Sequence, residues 1–204
     1  MIEKETITPI KDPVSFEKPL APQNEFQRFR VIQTYEHSIL PFLPEHKSTV
    51  TPYKVDVERL HQLGIQNLKQ ISDIEFSSGF ITAEQLATIK QVGVCSIICL
   101  LPDGEIDKNE VAKAAELGLS FHRLPISGVE DITFGNAEKF ESLLQIVKGQ
   151  PFLVHCKSAN RNASLITLVA YKYNGNDAEQ ALVLGKFWGK IRENFEERLR
   201  QLMQ

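Results

Sequence analysis

From about residue 56 the chain alternates between helical periodicity and short apolar runs. VDVERLHQLG (55–64) reads as a short amphipathic helix closed by Gly64, and NLKQISDIEFSSG (67–79) as a short strand or two. TAEQLATIKQVG (82–93) carries its own boundary signals: Thr82 caps a helix, Gln85 completes a capping box, and Gly93 ends it. VCSIICLL (94–101) is an unbroken apolar run, as expected of a strand buried on both faces. DKNEVAKAAELG (107–118) is the next helix and LSFHRLPI (119–126) the next strand. NAEKFESLLQIVKG (136–149), PFLVH (151–155) and NASLITLVAYKYNG (162–175) repeat the cycle as helix, strand and helix. DAEQALVLGKF and IRENFEERLRQLMQ supply the last helices, the second with an apolar stripe of Ile191, Phe195, Leu199 and Leu202.

This alternation predicts an α/β fold with a mainly parallel central sheet and helices on both faces. In such a sheet the loops leaving the carboxyl ends of strands gather along one edge, where ligands bind. PDGE (102–105), SGVED (127–131) and CKSANR (156–161) are three such loops and should meet in space.

The first quarter of the chain is different. Seven of the ten prolines lie in residues 1–52, and no glycine precedes Gly64. That reads as an extended arm. Phe26, Phe29, Tyr35, Ile39, Leu40 and Phe42 need a surface to cover them, so residues 1–55 are expected to pack on a core domain over 56–204. A chain of 204 residues fits one domain with such an extension. No run approaches the roughly 20 apolar residues that span a bilayer. The first residues, MIEKETITPI, have no apolar signal core. A net charge of −3 does not advertise nucleic acid as a partner. Cys95, Cys99 and Cys156 cannot all pair, and no CxxC spacing occurs, which favours free thiols in a reducing compartment, the cytoplasm. Cys95 and Cys99, inside the apolar run, read as small core hydrophobes.

VHCKSANRNAS is the stretch that carries chemistry. Cys156 ends a predicted strand, and Arg161 follows where a helix begins. A helix N-terminus and a guanidinium both favour a thiolate over a thiol. The residues between them, Lys157, Ser158, Ala159 and Asn160, can turn successive backbone N–H groups inward as an anion nest. Arg161 can hold two oxygens of a tetrahedral anion at once. Together these parts suit phosphoryl transfer through a cysteinyl-phosphate. His155 is placed to orient the loop or moderate Cys156, and Lys157 is either a solvated charge or a phosphate contact.

HCKSANR, preceded by GFITAEQLATIKQVGVCSIICLLPDGE and LPISGVEDIT, resembles the beta-lactamase-hydrolase-like phosphatase family, bacterial relatives of the dual-specificity tyrosine phosphatases. The resemblance runs from about Ser77 to Leu184 and holds four features in register. It implies a three-layer cysteine-phosphatase fold, Cys156 as nucleophile, Arg161 as phosphate ligand, and no metal or other cofactor. Phosphorylated proteins or small molecules, and oxyanions such as phosphate or sulfate, are the implied partners. The loop has four residues between Cys and Arg where ordinary tyrosine phosphatases have five, a spacing shared with rhodanese-type sulfurtransferases. Ala159 stands where the family places a glycine, and Leu101 where it places an arginine. Asn162 occupies the position where phosphatases often use Ser or Thr on the leaving thiolate, and its amide could donate a similar bond. The general acid is left between Asp103 of the PDGE loop and Asp131, with Glu105 and Glu130 nearby. Two other readings stand beside the phosphatase: sulfur transfer through a Cys156 persulfide, and a phospho-ligand-binding module with weak chemistry.

Overall fold

Among the described residues, five short strands form one sheet, and its inner two carry the buried side chains of Ile97, Ile98, Phe152 and Val154. The computed structural model describes residues 53–204. The packing expected of the arm over 1–55 lies, up to residue 52, outside the described residues. The strands are β1 (Lys69–Gln70), β2 (Glu75–Ser78), β3 (Ser96–Cys99), β4 (Ser120–Arg123) and β5 (Phe152–His155), in the order β1-β2-β5-β3-β4. β1 runs antiparallel to β2; the other pairings are parallel. β5 is central, and His155 at its end lies between Ser78 of β2 and Cys99 of β3. The inner strands β3 and β5 are buried at every residue. The edge strand β4 is not, as an edge exposed to water requires.

Among the described residues, seven helices connect and cover the strands: α1 (Val57–Gln62), α2 (Ala83–Gln91), α3 (Glu110–Glu116), α4 (Phe134–Val147), α5 (Asn160–Tyr173), α6 (Ala178–Trp188) and α7 (Glu193–Leu202). Two apolar clusters flank the sheet, which makes the three layers. One gathers Leu60, Leu86, Ile89 and Ala114 of α1 to α3 against Ile97 and Leu153. The other gathers Phe140, Leu165, Leu182 and Leu199 of α4 to α7 against Ile98 and Val154. Alternate residues of β3 and β5 thus point to opposite layers. No helix among the described residues is long and apolar enough to cross a membrane.

The Thr82 capping box forms as the sequence predicts: Gln85 N–H donates to Thr82 Oγ1 at 3.4 Å, and Thr82 N–H to Gln85 Oε1 at 2.9 Å. An unforeseen short 3₁₀ turn (Val129–Asp131) fills the loop after β4. The helix expected from residue 162 begins earlier, at Asn160, because the Ala159 carbonyl already accepts from Ala163 N–H at 3.1 Å. Arg161 therefore sits within the first turn of α5.

Candidate active site

Cys156 leaves β5 with its N–H donating to Ser78 O at 3.3 Å, and it is buried. The carbonyls of the next residues are occupied on the outside of the loop. Lys157 O accepts from Phe80 N–H at 3.2 Å, and Ser158 O from Asn67 Nδ2 at 3.2 Å. Among the described residues, the backbone N–H groups of residues 157, 158 and 160–162 donate to no backbone acceptor, while Gly79 and Ser158 form an antiparallel bridge. Amides left free at the start of a fourteen-residue helix are the parts from which an anion cradle is built, and the helix dipole favours negative charge there.

The turn that closes the cradle is made by Ala159 at φ 61°, ψ 4°. A residue with a Cβ spends roughly 1–2 kcal/mol in that left-handed conformation. Two glycines make room for the loop. A Cβ on Gly189 would fall 2.4 Å from Ala159 O and 2.8 Å from its Cβ, and one on Gly79 would fall 3.2 Å from Lys157 O. Asn160 ties the loop to the segment after α6, its Oδ1 accepting from Arg192 N–H at 3.0 Å.

The three loops expected to meet do so around Arg161. Its Nη1 donates to Glu105 Oε2 at 2.8 Å and its Nη2 to Glu105 Oε1 at 2.9 Å; Nη2 also donates to Ser127 O at 3.0 Å. Three of the five guanidinium N–H donors are thus committed within the protein. Burial works against the Arg161 charge, but Glu105 outweighs it, with Cys156 and Asp131 adding to the attraction, so its pKa rises. The Arg161 bond holds the Glu105 carboxyl below its usual range against partial burial, and Lys157 lends further positive potential.

The other expected residues divide. Asp131 belongs to the site: its Oδ2 accepts from Ser127 N–H at 2.7 Å, and its charge is felt by Arg161. Asp103 points away, with a largely exposed carboxylate 2.7 Å from Arg123 Nη1. Lys157 is exposed at the rim and Ser158 half-buried. Asn162 is fully buried with a different task from the one its position suggested. Its Nδ2 donates to Ser77 Oγ at 3.0 Å, Ser78 O at 2.9 Å and Val154 O at 3.2 Å, pinning α5 to β2 and β5.

His155 lies on the opposite side of the sheet from the Cys156 cluster, and it has company. Its Nε2 is 2.8 Å from Oε1 of Glu110, and both side chains are fully buried. Cys99 completes the group. Cys99 is therefore more than a core hydrophobe, and Cys95 is only half-buried. Burial alone would lower the His155 pKa; Cys99 and Glu110 overcome it and raise it to about 9. Sequence reasoning passed over Glu110, which hides in the charged run DKNEVAK, and left Glu105 as one of several acids.

No family model matches the sequence. Inositol diphosphatase DSP2 of Oryza sativa subsp. japonica is 26% identical over 104 residues, 49% of this chain and 50% of that protein. The chain thus spans about half the length of the curated relative it matches. A candidate phosphatase (DUF442) from Shewanella putrefaciens CN-32 superposes with a TM-score of 0.54 at 24% identity, over 72% of this chain and 96% of its own. A candidate phosphatase from Neisseria meningitidis Z2491 gives a TM-score of 0.54 at 25% identity, over 66% and 96%. The chain shares the fold of these phosphatase structures.

Proposed function

We propose that the chain is a cysteine-dependent phosphatase acting on phosphate monoesters. The observation that carries this is the set of unused N–H groups between Lys157 and Asn162, in the loop that follows Cys156, with Arg161 set in the first turn of α5. The likeness to solved phosphatase structures and to an inositol diphosphatase supports it, as does the resemblance of HCKSANR and PDGE to the beta-lactamase-hydrolase-like phosphatases.

The Cys156 thiolate attacks phosphorus in line with the leaving oxygen, forming the S–P bond as the P–O bond breaks. The loop amides and Arg161 hold the three remaining oxygens, where charge must be stabilised in the transition state. Of the two acids the sequence left open, Asp131 fits better, because Asp103 is turned towards Arg123. Asp131 gives its proton to the departing alkoxide or phenoxide and then takes one from the water that splits the cysteinyl-phosphate, releasing inorganic phosphate and the thiolate. Lys157 offers a rim contact to the phosphate.

The test is turnover of para-nitrophenyl phosphate, an inositol pyrophosphate and thiosulfate by the full chain, with Cys156→Ser alongside. Phosphate release that disappears in the variant is expected. Release that survives Cys156→Ser would sink the mechanism, and thiosulfate turnover without phosphate release would assign the four-residue loop to sulfur transfer.

A further inference from the structure

Residues 65–68 turn against the outer edge of the loop that follows Cys156. Ile65 is buried, Leu68 packs partly buried against the same apolar cluster, and Leu68 N–H donates to Ile65 O at 3.3 Å. Gly79 N–H donates to Gln66 O at 2.7 Å, and a Cβ on Gly79 would fall 2.7 Å from that oxygen, so glycine lets the turn come this close. The antiparallel bridge between Gly79 and Ser158 sets the loop beside it. Asn67 takes φ 55°, a left-handed conformation that asparagine tolerates better than most residues with a side chain. From there its Nδ2 donates to Ser158 O at 3.2 Å, across 91 positions of chain. Lys157 O is held by the backbone N–H of Phe80, whereas Ser158 O is held by this side chain.

The peptide that Asn67 holds is the one under strain. Ala159 has φ 61°, and its own carbonyl is fixed by the Ala163 N–H of α5 at 3.1 Å. The turn therefore relaxes by rotating the peptide between Ser158 and Ala159, which carries Ala159 out of the left-handed region. That rotation swings Ser158 O from the outside of the loop to the inside, where an oxygen repels an anion. We propose that Asn67 is a positioning residue for the oxyanion cradle: its amide latches the Ser158 carbonyl outward and keeps the strained Ala159 turn in the anion-binding form. The inference rests on the cradle of the proposed function for its purpose, though not for the contact or the strain. A glycine at 159 would carry little strain and need no latch, so the worth of Asn67 depends on Ala159.

Asn67 is exposed, so its substitution leaves the core intact. Asn67→Gly keeps the positive φ and loses the amide. In the full chain, calorimetric titration with vanadate should show about fivefold weaker binding in this variant, with the anion-free melting temperature within experimental scatter of the parent's. Ala159→Gly alone should bind vanadate at least as tightly as the parent. Added to Asn67→Gly, it should recover most of the loss, because it removes the strain that drives the rotation. An Asn67 that served only to shape its own turn would be replaced by glycine without change in vanadate affinity, and that result refutes the latch. A loss that Ala159→Gly does not restore would also refute it, by separating the hydrogen bond from the strain. A parent that binds vanadate and releases no phosphate from any ester would remove the phosphatase reading and leave the latch standing. A parent that binds no oxyanion would overturn both.

Discussion

Arg161 and Arg200 each engage a glutamate through both terminal nitrogens. Arg161 meets Glu105 among the site loops, with side chains 10% and 28% exposed. Arg200 meets Glu179 between α7 and α6, with side chains 45% and 72% exposed, and also reaches Glu196 at 3.0 Å. The donor and acceptor chemistry is the same in both places. What differs is water. On the surface, water and salt compete for every charge, so the geometry of the Arg200 pair contributes little. At the site, the Arg161–Glu105 pair is largely withdrawn from water, so the same contact holds its geometry more strongly. A bound anion must share Arg161 with Glu105 or displace it. On the function proposed above, the same contact that fixes the arginine also competes with substrate.

That contrast can be broken most directly at Arg161 itself. Arg161→Lys keeps the charge and loses the two-pronged grip, so turnover should fall about 100-fold or more. Phosphate or vanadate should then no longer raise the melting temperature, which thermal shift reads directly. A lysine variant that keeps the anion-dependent shift would show that charge alone matters here.

The fully buried pair, His155 with Glu110, carries the contrast to its limit and gives it a pH dependence. The His155 pKa is raised to about 9. In the unfolded chain it titrates near 6.5, so between those values the folded protein binds more protons than the unfolded one. Stability from this pair is thus complete below about pH 6.5 and is lost as pH rises through about 9, by on the order of 3 kcal/mol. Denaturant melts from pH 6 to 9.5 should show the slope, and Glu110→Gln should flatten it; an unchanged slope in the variant would assign it elsewhere.

Smaller effects sharpen the comparison. Glu105→Gln removes the competing charge but leaves one acceptor for Arg161, so phosphate should bind about fivefold tighter. Weaker binding would mean that Glu105 serves anion binding by orienting the arginine more than it opposes it. The matching change at the surface, Glu179→Gln, should leave both anion affinity and melting temperature within experimental scatter. A clear loss there would show that exposure is a poor guide to the worth of these pairs.

The elements were legible because their signals are local. Thr82 and Gln85 announce a helix start within four residues, and the run VCSIICLL can only be an inner strand. The meeting of PDGE, SGVED and CKSANR followed from parallel topology, and Arg161 bridges all three. Which way a side chain turns was not legible. Asp103 and Asp131 were equivalent as letters, and only the neighbouring Arg123 and Ser127 separate them. Asn162 followed the loop arginine where a thiolate donor was wanted, but three acceptors from β2 and β5 claim its amide. Cys99 read as core because its strand is apolar, and the residue that changes its meaning, Glu110, comes from the other end of the following loop. Ala159 stands where the resembled family has a glycine, and its φ is positive; the glycine that clears space beside it, Gly189, lies thirty positions on, beyond any local pattern.

The strand order has a consequence for how the protein comes into being. β5 lies between β2 and β3, yet it is the last of the strands in the chain. During synthesis β2 and β3 emerge with no partner for their facing edges until residues 152–155 leave the ribosome. Those edges include Phe76 and Ile97 to Cys99, buried in the finished sheet and attractive to any other open strand in the interval. The last-arriving strand also leads directly into Cys156, the nucleophile of the proposed function. Its insertion completes the hydrogen-bond ladder and brings Cys156 to Arg161's loops in a single event, so onset of thiol reactivity during refolding should report closure of the whole sheet, at the slow rate that distant pairings impose.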